Sequence, residues 1–352
     1  MIALDLSEEQ RRAVEAPWDC CVAIMGPPGS GKSFALRRRA ARAREELAAA
    51  VLELNAENSL DAFAFSLLKE RHPYVRLVDD AEAALLFEGA CSSLLSLEWL
   101  EFGDGLDFEV SGLRTPERFI AAAFRLIRRL RDAAVTPDEF LSDALRGAAE
   151  FYAKPPNFAD PALLVATKSE YHDSLDVTTD ELLRQRHVEI NLAKILHKLF
   201  EAYVGLVESR GTMTGRDAVI AATNLVRADP VFASQMRERY SVALVDEAQD
   251  LTTAQRAFLS ALFGESFAGV TLCGDPAAAI SRIRMTAPEA VFASARERVE
   301  LPQRRLSPIS VERAATVRDE RATIVATVRA WLERGVPARE IAVLFRSVEA
   351  IA

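Results

Sequence analysis

The sequence predicts an α/β protein built around a parallel β-sheet. Two apolar runs, Cys20–Met25 and Val242–Val245, have the composition of buried strands. Each is followed by a polar segment of the kind found at the carboxyl edge of such sheets, where α/β proteins bind ligands. Helical periodicity then resumes, as strand–loop–helix units require. A length of 352 residues indicates two or three domains rather than one core.

The loop after the first strand matches the pattern G-x-x-x-x-G-K-[ST] at every fixed position, with the sequence Gly26-Pro27-Pro28-Gly29-Ser30-Gly31-Lys32-Ser33. Its glycines allow backbone N–H groups to converge on a polyphosphate at the start of the next helix. Lys32 would add a positive charge for the β- and γ-phosphates, and the Ser33 hydroxyl would bind Mg²⁺. We therefore expect a phosphate-binding loop, and the alternative is a glycine-rich turn that fits the pattern by chance.

The second strand ends in two carboxylates, Asp246 and Glu247. This arrangement is typical of a Walker B strand, in which we expect Asp246 to hold the Mg²⁺ that Ser33 also binds. Glu247 is then placed to orient or deprotonate the attacking water. An acidic helix N-terminus after a strand would also explain the acids, but not their occurrence together with a distant phosphate-binding loop.

Three further segments predict helices. Ser7-Glu8-Glu9-Gln10 fits a capping box, and Gln10 is either plain helix surface or an amide that contacts an adenine edge. The stretch Ser59–Leu68 is apolar at helical spacing, which predicts a core helix. Pro116–Ala134 is amphipathic with a basic face, which is either solvated surface or a contact for phosphates.

The charge and composition of the chain limit the kinds of partner that it can bind. The net charge of −9 argues against binding nucleic acid by overall charge, so any such site must be a local basic patch. Four cysteines without a C-x-x-C spacing indicate neither a disulfide framework nor a zinc site. The sequence shows no signal peptide and no apolar run of about 18 residues. We expect a cytoplasmic protein without a membrane partner.

Taken in order, these motifs resemble those of the UvrD/Rep-like superfamily 1 DNA helicases. The resemblance covers roughly residues 4–90 and 210–347. It rests on the Q motif (Ser7–Gln10), motif I (Gly26–Ser33), motif II (Val245–Asp250), motif III (Gly274–Arg284) and motif IV (Leu301–Arg305). Ser59–Leu68 is similar to the stretch that follows motif Ia in the family.

The resemblance implies a RecA-like P-loop NTPase that uses ATP and Mg²⁺ and acts on single-stranded DNA. The catalytic residues that it implies are Lys32, Glu247 and Arg305. The nucleotide-binding residues that it implies are Gln10, Gly26, Pro27, Pro28, Gly29, Ser30, Gly31, Lys32, Ser33, Gln249, Arg284 and Arg304. Ser33 and Asp246 would be the metal ligands.

The resemblance also implies a domain plan. Residues 1–69 and 236–306 would form the ATP-binding domain 1A, and residues 70–235 an all-helical insertion that includes subdomain 1B. Residues 307–352 would begin a second RecA-like domain, 2A, that is incomplete because motifs V and VI have no counterpart. A partner chain could then supply the second motor lobe.

Motif III departs from the family pattern. Ala278 stands where the family has a glutamine that senses the γ-phosphate, and Ser281 and Ile283 stand where it has aromatic residues. Motif Ia is shortened. These changes predict impaired hydrolysis and weak binding of DNA.

Three functions remain open on the sequence. The first is an ATP-dependent DNA helicase of repair or recombination, and the second is an ATP-binding, helicase-like regulatory subunit. The third, a P-loop kinase or other NTPase, fits the order of the motifs much less well.

Overall fold

A computed structural model of the chain describes residues 6–102, 116–153, 179–279, 285–303 and 311–344. Their contacts divide the chain into two compact units, residues 1–304 and residues 305–352. No helix among the described residues combines the length and the apolarity needed to cross a bilayer.

The strands of the described chain lie in the first unit. They are β1 (Val22–Met25), β2 (Ala50–Leu54), β3 (Arg76–Leu77), β4 (Thr212–Met213), β5 (Tyr240–Val245), β6 (Val270–Gly274) and β7 (Glu297–Glu300). Five of them form one parallel sheet in the order β2-β5-β6-β1-β7. The α/β class with a parallel sheet, which the sequence predicts, is therefore confirmed.

The helices of the first unit are α1 (Glu8–Glu15), α2 (Lys32–Glu46), α3 (Leu60–Arg71), α4 (Asp80–Phe102), α5 (Pro116–Asp132), α6 (Pro137–Ala153), α7 (Thr179–Arg210), α8 (Gly215–Ala228), α9 (Pro230–Arg239), α10 (Thr253–Phe263) and α11 (Pro288–Ala293). The second unit contains α12 (Val317–Glu333), which begins at the N-cap Thr316. The helix predicted over Ser59–Leu68 is α3, and its N-cap is Ser59.

Both faces of the five-stranded sheet are buried, as is usual for parallel sheets. Alternate strand residues point to opposite faces: Ala243 joins the larger core, whereas Leu244 joins the smaller one. The smaller core is closed by α1 and α2, through Ala13 and Leu36. The larger core extends through α3, α8 and α10 into an aromatic group that joins α4, α5 and α7. In that group Phe87 stacks on Phe124 with ring centroids 5.3 Å apart.

Helix α1 is fixed to α2 by the buried guanidinium of Arg39, which is 1% exposed. The group donates to Thr271 Oγ1 on β6 at 2.9 Å and lies over the Trp18 ring at 3.9 Å. It also donates to four backbone carbonyls at the C-terminal end of α1 and just beyond, those of Ala13, Val14, Ala16 and Pro17. Helix ends leave such carbonyls without intrahelical partners. Burial, followed by the nearby charge of Arg42, lowers the pKa of Arg39 to about 10.

Some elements differ from those the sequence predicts. The sequence predicts a helix near Ala287–Arg298, but α11 ends at Ala293 and β7 follows. Edge strand β7 buries only Val299, so its sequence lacks the alternation of apolar and polar residues that identifies a strand. Strands β3 and β4 lie within the stretch that the sequence predicts to be all helical. Each strand has only two residues, which is too short to show the alternation of apolar and polar residues that identifies a strand.

The sequence also predicts strands from Ile309 on and over Ile341–Phe345, and these predictions are wrong where the structure describes the chain. Residues 311–316 and 341–344 form no strand. A strand needs a hydrogen-bonded neighbour, and the described residues of the second unit provide none. The sequence also predicts loops rich in Gly, Pro and Asp at Gly103–Gly112 and at Lys154–Asp160, and both lie outside the described residues.

We expect Arg39→Met to lower the free energy of unfolding by about 3–5 kcal/mol, because it leaves several buried carbonyls without donors. Arg37→Met is the matched control, since Arg37 lies on the same helix and is exposed. It should change the free energy of unfolding by no more than about 0.5 kcal/mol. Urea unfolding measures both, and equal effects of the two substitutions would contradict the anchoring role of Arg39.

Candidate nucleotide-binding site

The sheet order brings the predicted motifs together. Strand β6 lies between β1 and β5, and all three run parallel. Their carboxyl ends therefore meet at one edge, where Met25 pairs with Gly274 and Val245 pairs with Leu272. The N–H of Gly26 donates to the Gly274 carbonyl at 3.3 Å. Motifs I, II and III thus begin side by side.

The phosphate-binding loop requires glycine at its tightest points. Gly29 and Gly31 have φ angles of 80° and 88°, in the left-handed region that favours glycine. A Cβ on Gly31 would lie 2.4 Å from Gln10 Nε2, and a Cβ on Gly26 would lie 2.4 Å from the Leu301 carbonyl oxygen. The loop is therefore enclosed between the Q motif and the segment that follows β7.

Lys32 and Ser33 begin helix α2. Lys32 Nζ donates to the carbonyls of Gly26 and Pro27, at 2.5 and 3.0 Å, so the ammonium lies within the curve of the loop. The Ser33 side chain is exposed, whereas Ser30 Oγ is buried without a hydrogen-bond partner in the described chain. Pro28 and Gly29 are exposed at the tip of the loop.

Gln10 is buried, with 3% of its surface exposed, so it is not plain helix surface. It completes the predicted capping box: its N–H donates to Ser7 Oγ and its Oε1 accepts from the Ser7 N–H, both at 3.2 Å. Its Nε2 faces Gly31 in the phosphate-binding loop. The amide therefore lies at the site, while contact with adenine remains a prediction.

The two carboxylates of motif II follow β5. The Asp246 N–H donates to the Leu54 carbonyl at 2.9 Å, which extends the pairing of β5 with β2. Glu247 is exposed and has a φ of 52°, a left-handed conformation that is uncommon for residues other than glycine. Its N–H donates to Asp246 Oδ1 at 3.1 Å.

The thiol of Cys273, near the end of β6, is affected by charged groups of both motif I and motif II. Burial raises the pKa of its thiol, the Asp246 carboxylate raises it further by charge and by a hydrogen bond, and the Lys32 ammonium opposes them. The first residue of α2, Lys32, and the residue after β5, Asp246, thus both act on one buried thiol. No sequence motif marks Cys273, because a lone cysteine on an apolar strand matches none.

Gln249 occupies the turn Ala248–Asp250 and is 3% exposed. Its Nε2 donates to Glu247 Oε2 at 2.5 Å, and its Oε1 accepts from the Asp275 N–H at 3.1 Å. The sequence predicts contact with the nucleotide, but in the structure both ends of the amide bind protein groups. The motif II sequence, Val245–Asp250, indicates Gln249 as a site residue but does not indicate these hydrogen-bond partners.

Part of the predicted site lies outside the described residues. This applies to Arg284, Arg304 and Arg305, and also to Ser281 and Ile283. Ala278 is described and closes the short turn Pro276–Ala278, half-buried. Its methyl group offers neither a donor nor an acceptor at that position.

These groups fit a magnesium-bound nucleoside triphosphate. The enclosed glycine loop, the Lys32 ammonium and the Ser30 hydroxyl, which has no partner among the described residues, suit phosphate oxygens. Hydroxyl and carboxylate oxygens, as Ser33 and Asp246 provide, are the ligands that Mg²⁺ prefers.

A family model described as the UvrD/REP helicase N-terminal domain matches residues 113–297, which is more than half of the chain. The chain belongs to this family. Its parallel sheet with surrounding helices is the RecA-like P-loop core expected of UvrD/REP proteins, and membership supports a helicase-like, ATP-binding function. The matched stretch includes all of motifs II and III. A search of curated proteins found none that matches the chain.

We expect Gly31→Ala to lower the free energy of unfolding by about 1–3 kcal/mol, because an alanine is strained at this φ and its Cβ would meet Gln10. Gly89→Ala is the control. Gly89 lies exposed on α4 with open space around it, so alanine there should stabilise by about 0.5–1 kcal/mol. Chemical unfolding without nucleotide gives both values, and a neutral Gly31→Ala would refute the close approach of Gln10.

Proposed function

We propose that the chain is an ATP-hydrolysing, DNA helicase-like protein that acts on single-stranded DNA in DNA repair or recombination. One observation supports this most directly: the loop of Lys32 and the carboxylates of Asp246 and Glu247 meet at one sheet edge in a UvrD/REP family member.

The proposed roles follow from the chemistry of each group. The loop from Gly26 to Ser33 binds the phosphates, and Lys32 neutralises their charge. Ser33 and Asp246 hold Mg²⁺, which neutralises charge on the phosphate oxygens when it is bound. Glu247 orients the attacking water and accepts its proton. Gln10 contacts the adenine base.

Three arginines complete the proposal from outside the described residues. Arg305 stabilises charge at the γ-phosphate, and Arg284 and Arg304 contact the nucleotide. A planar guanidinium suits both tasks, because it can bind phosphate oxygens in pairs or stack on a base.

Helix α5 supports a contact with nucleic acid. Residues 118–131 contain five arginines and no acidic residue. Arg128 and Arg131 form ion pairs with Asp80 and Asp217 within the fold, so their charge is already compensated.

The remaining arginines of α5, which are Arg118, Arg125 and Arg129, are exposed and form no ion pair within the part of the chain that the structure describes. Their spacing of seven and four residues places them on one helix face. On a chain with a net charge of −9, this face is a local basic patch of the kind that binding to phosphates requires.

We extend the proposal to the organisation of the protein. Residues 1–69 and 236–306 form domain 1A, residues 70–235 the insertion with subdomain 1B, and residues 307–352 the start of domain 2A. A second motor lobe on a partner chain would act with domain 1A. We place the protein in the cytoplasm.

Steady-state ATP hydrolysis with and without single-stranded DNA tests the proposal. Turnover should depend on Mg²⁺ and rise with DNA. Lys32→Ala should abolish it, and Glu247→Gln should lower kcat by about 10²–10⁴-fold, because the group that accepts the proton of water is lost.

Lys69→Ala, which removes an exposed lysine of α3, should leave turnover unchanged. ATP binding without Lys32-dependent turnover would refute hydrolysis and would favour a nucleotide-binding regulatory subunit. Turnover that DNA does not affect would refute the coupling to DNA.

A further inference from the structure

One buried side chain joins the carboxyl ends of β5 and β6. The Gln249 amide donates to Glu247 Oε2 at 2.5 Å and accepts from the Asp275 N–H at 3.1 Å. Gln249 and Asp275 lie 26 positions apart in sequence, so the sheet and not the local chain brings them together.

The approach of Gln249 to β6 depends on a glycine. A Cβ on Gly274 would lie 2.1 Å from Gln249 Oε1 and 3.3 Å from the Ala248 backbone nitrogen. The φ of Gly274 is not positive, so the backbone conformation does not require glycine at this position. Glycine is required instead because the Gln249 amide occupies the space that a Cβ on residue 274 would fill.

Glu247 needs such a contact. Its carboxylate is exposed, and its left-handed backbone is of the kind that surrounding contacts must hold. A hydrogen bond from the Gln249 amide to Glu247 Oε2 at 2.5 Å limits the rotation of the carboxylate. A group that orients water requires such a fixed position.

We propose that Gln249 is a positioning residue that fixes the Glu247 carboxylate and links it to the segment after β6. The inference rests on the proposed role of Glu247 in hydrolysis. In this segment Ala278 offers no polar group to the site, and Gln249 supplies a side-chain connection between β6 and the carboxylate. The amide keeps a second N–H and a second lone pair, so effects on kcat and on the Kd for ATP separate positioning of Glu247 from direct contact with the nucleotide.

Two substitutions of Gln249 test this in the full chain. Gln249→Glu keeps an acceptor for the Asp275 N–H but replaces the donor to Glu247 with a negative charge. Gln249→Leu removes both bonds at similar volume. Both should lower kcat by about 10–100-fold, with KM and the Kd for ATP within about threefold of the wild type.

Gln255→Leu is the matched control. Gln255 also bridges two groups, the Thr252 N–H at 3.0 Å and Asp61 Oδ1 at 2.7 Å, but it contacts neither Glu247 nor Asp275. It should lower the urea midpoint and leave kcat within about twofold. An equal loss of kcat in Gln255→Leu would assign the effect to general destabilisation and overturn the proposal.

Exchanging the two side chains gives a readout that does not depend on hydrolysis. The double variant Glu247→Gln with Gln249→Glu places an amide and a carboxylate opposite each other again. The urea midpoint, which Gln249→Glu alone should lower, should return towards the wild-type value in the double variant. The double variant should nevertheless remain inactive. No regain would contradict a direct bond between the two side chains.

The remaining outcomes separate the inference from the proposed function. A rise in KM and in the Kd for ATP with kcat unchanged would make Gln249 a nucleotide ligand and overturn the inference alone. If Glu247→Gln retains full turnover, the proposed role of Glu247 fails, and the positioning role of Gln249 fails with it.

Discussion

The arrangement of the nucleotide site depends on a buried cation, the guanidinium of Arg39. Its donors satisfy carbonyls at the end of α1 and reach Thr271 on β6. A positive group at a helix C-terminus also interacts favourably with the helix dipole. Burying a charge is unfavourable unless it is well hydrogen-bonded, and here the partners are backbone carbonyls and a hydroxyl. One side chain thus fixes α1, and with it Gln10, against the helix that begins at the phosphate-binding loop.

The second constraint is the position of β6 between β1 and β5. Any ligand of the loop after β1 must lie across the end of β6 to reach the carboxylates after β5. The residues at the end of β6 are accordingly buried or small: Cys273 is buried, and Gly274 leaves space for the Gln249 amide. The residues that we propose to bind the nucleotide come from motifs I and II, and β6 lies between the two strands that precede them.

Local sequence patterns predicted the parts of the site that are local. The glycine loop and the capping box of Ser7 and Gln10 are defined within a few residues, and the structure contains the box as predicted. The burial of Gln10 against Gly31 required the packing of α1 on α2, which no local pattern encodes. The partners of Gln249 likewise depend on strand order. Edge strand β7 was missed because only one of its residues is buried, so the apolar alternation that identifies strands was absent.

The central claim is that the loop after β1 and the carboxylate after β5 form one site for Mg²⁺ and ATP. Calorimetric titration of ATP, with and without Mg²⁺, into the wild type and Asp246→Asn tests it most directly. We expect Mg²⁺ to tighten ATP binding by at least about tenfold in the wild type, or about 1.4 kcal/mol. Asp246→Asn should retain binding of ATP but lose most of that gain. An equal effect of Mg²⁺ on both proteins, or no binding of ATP to the wild type, would contradict the account.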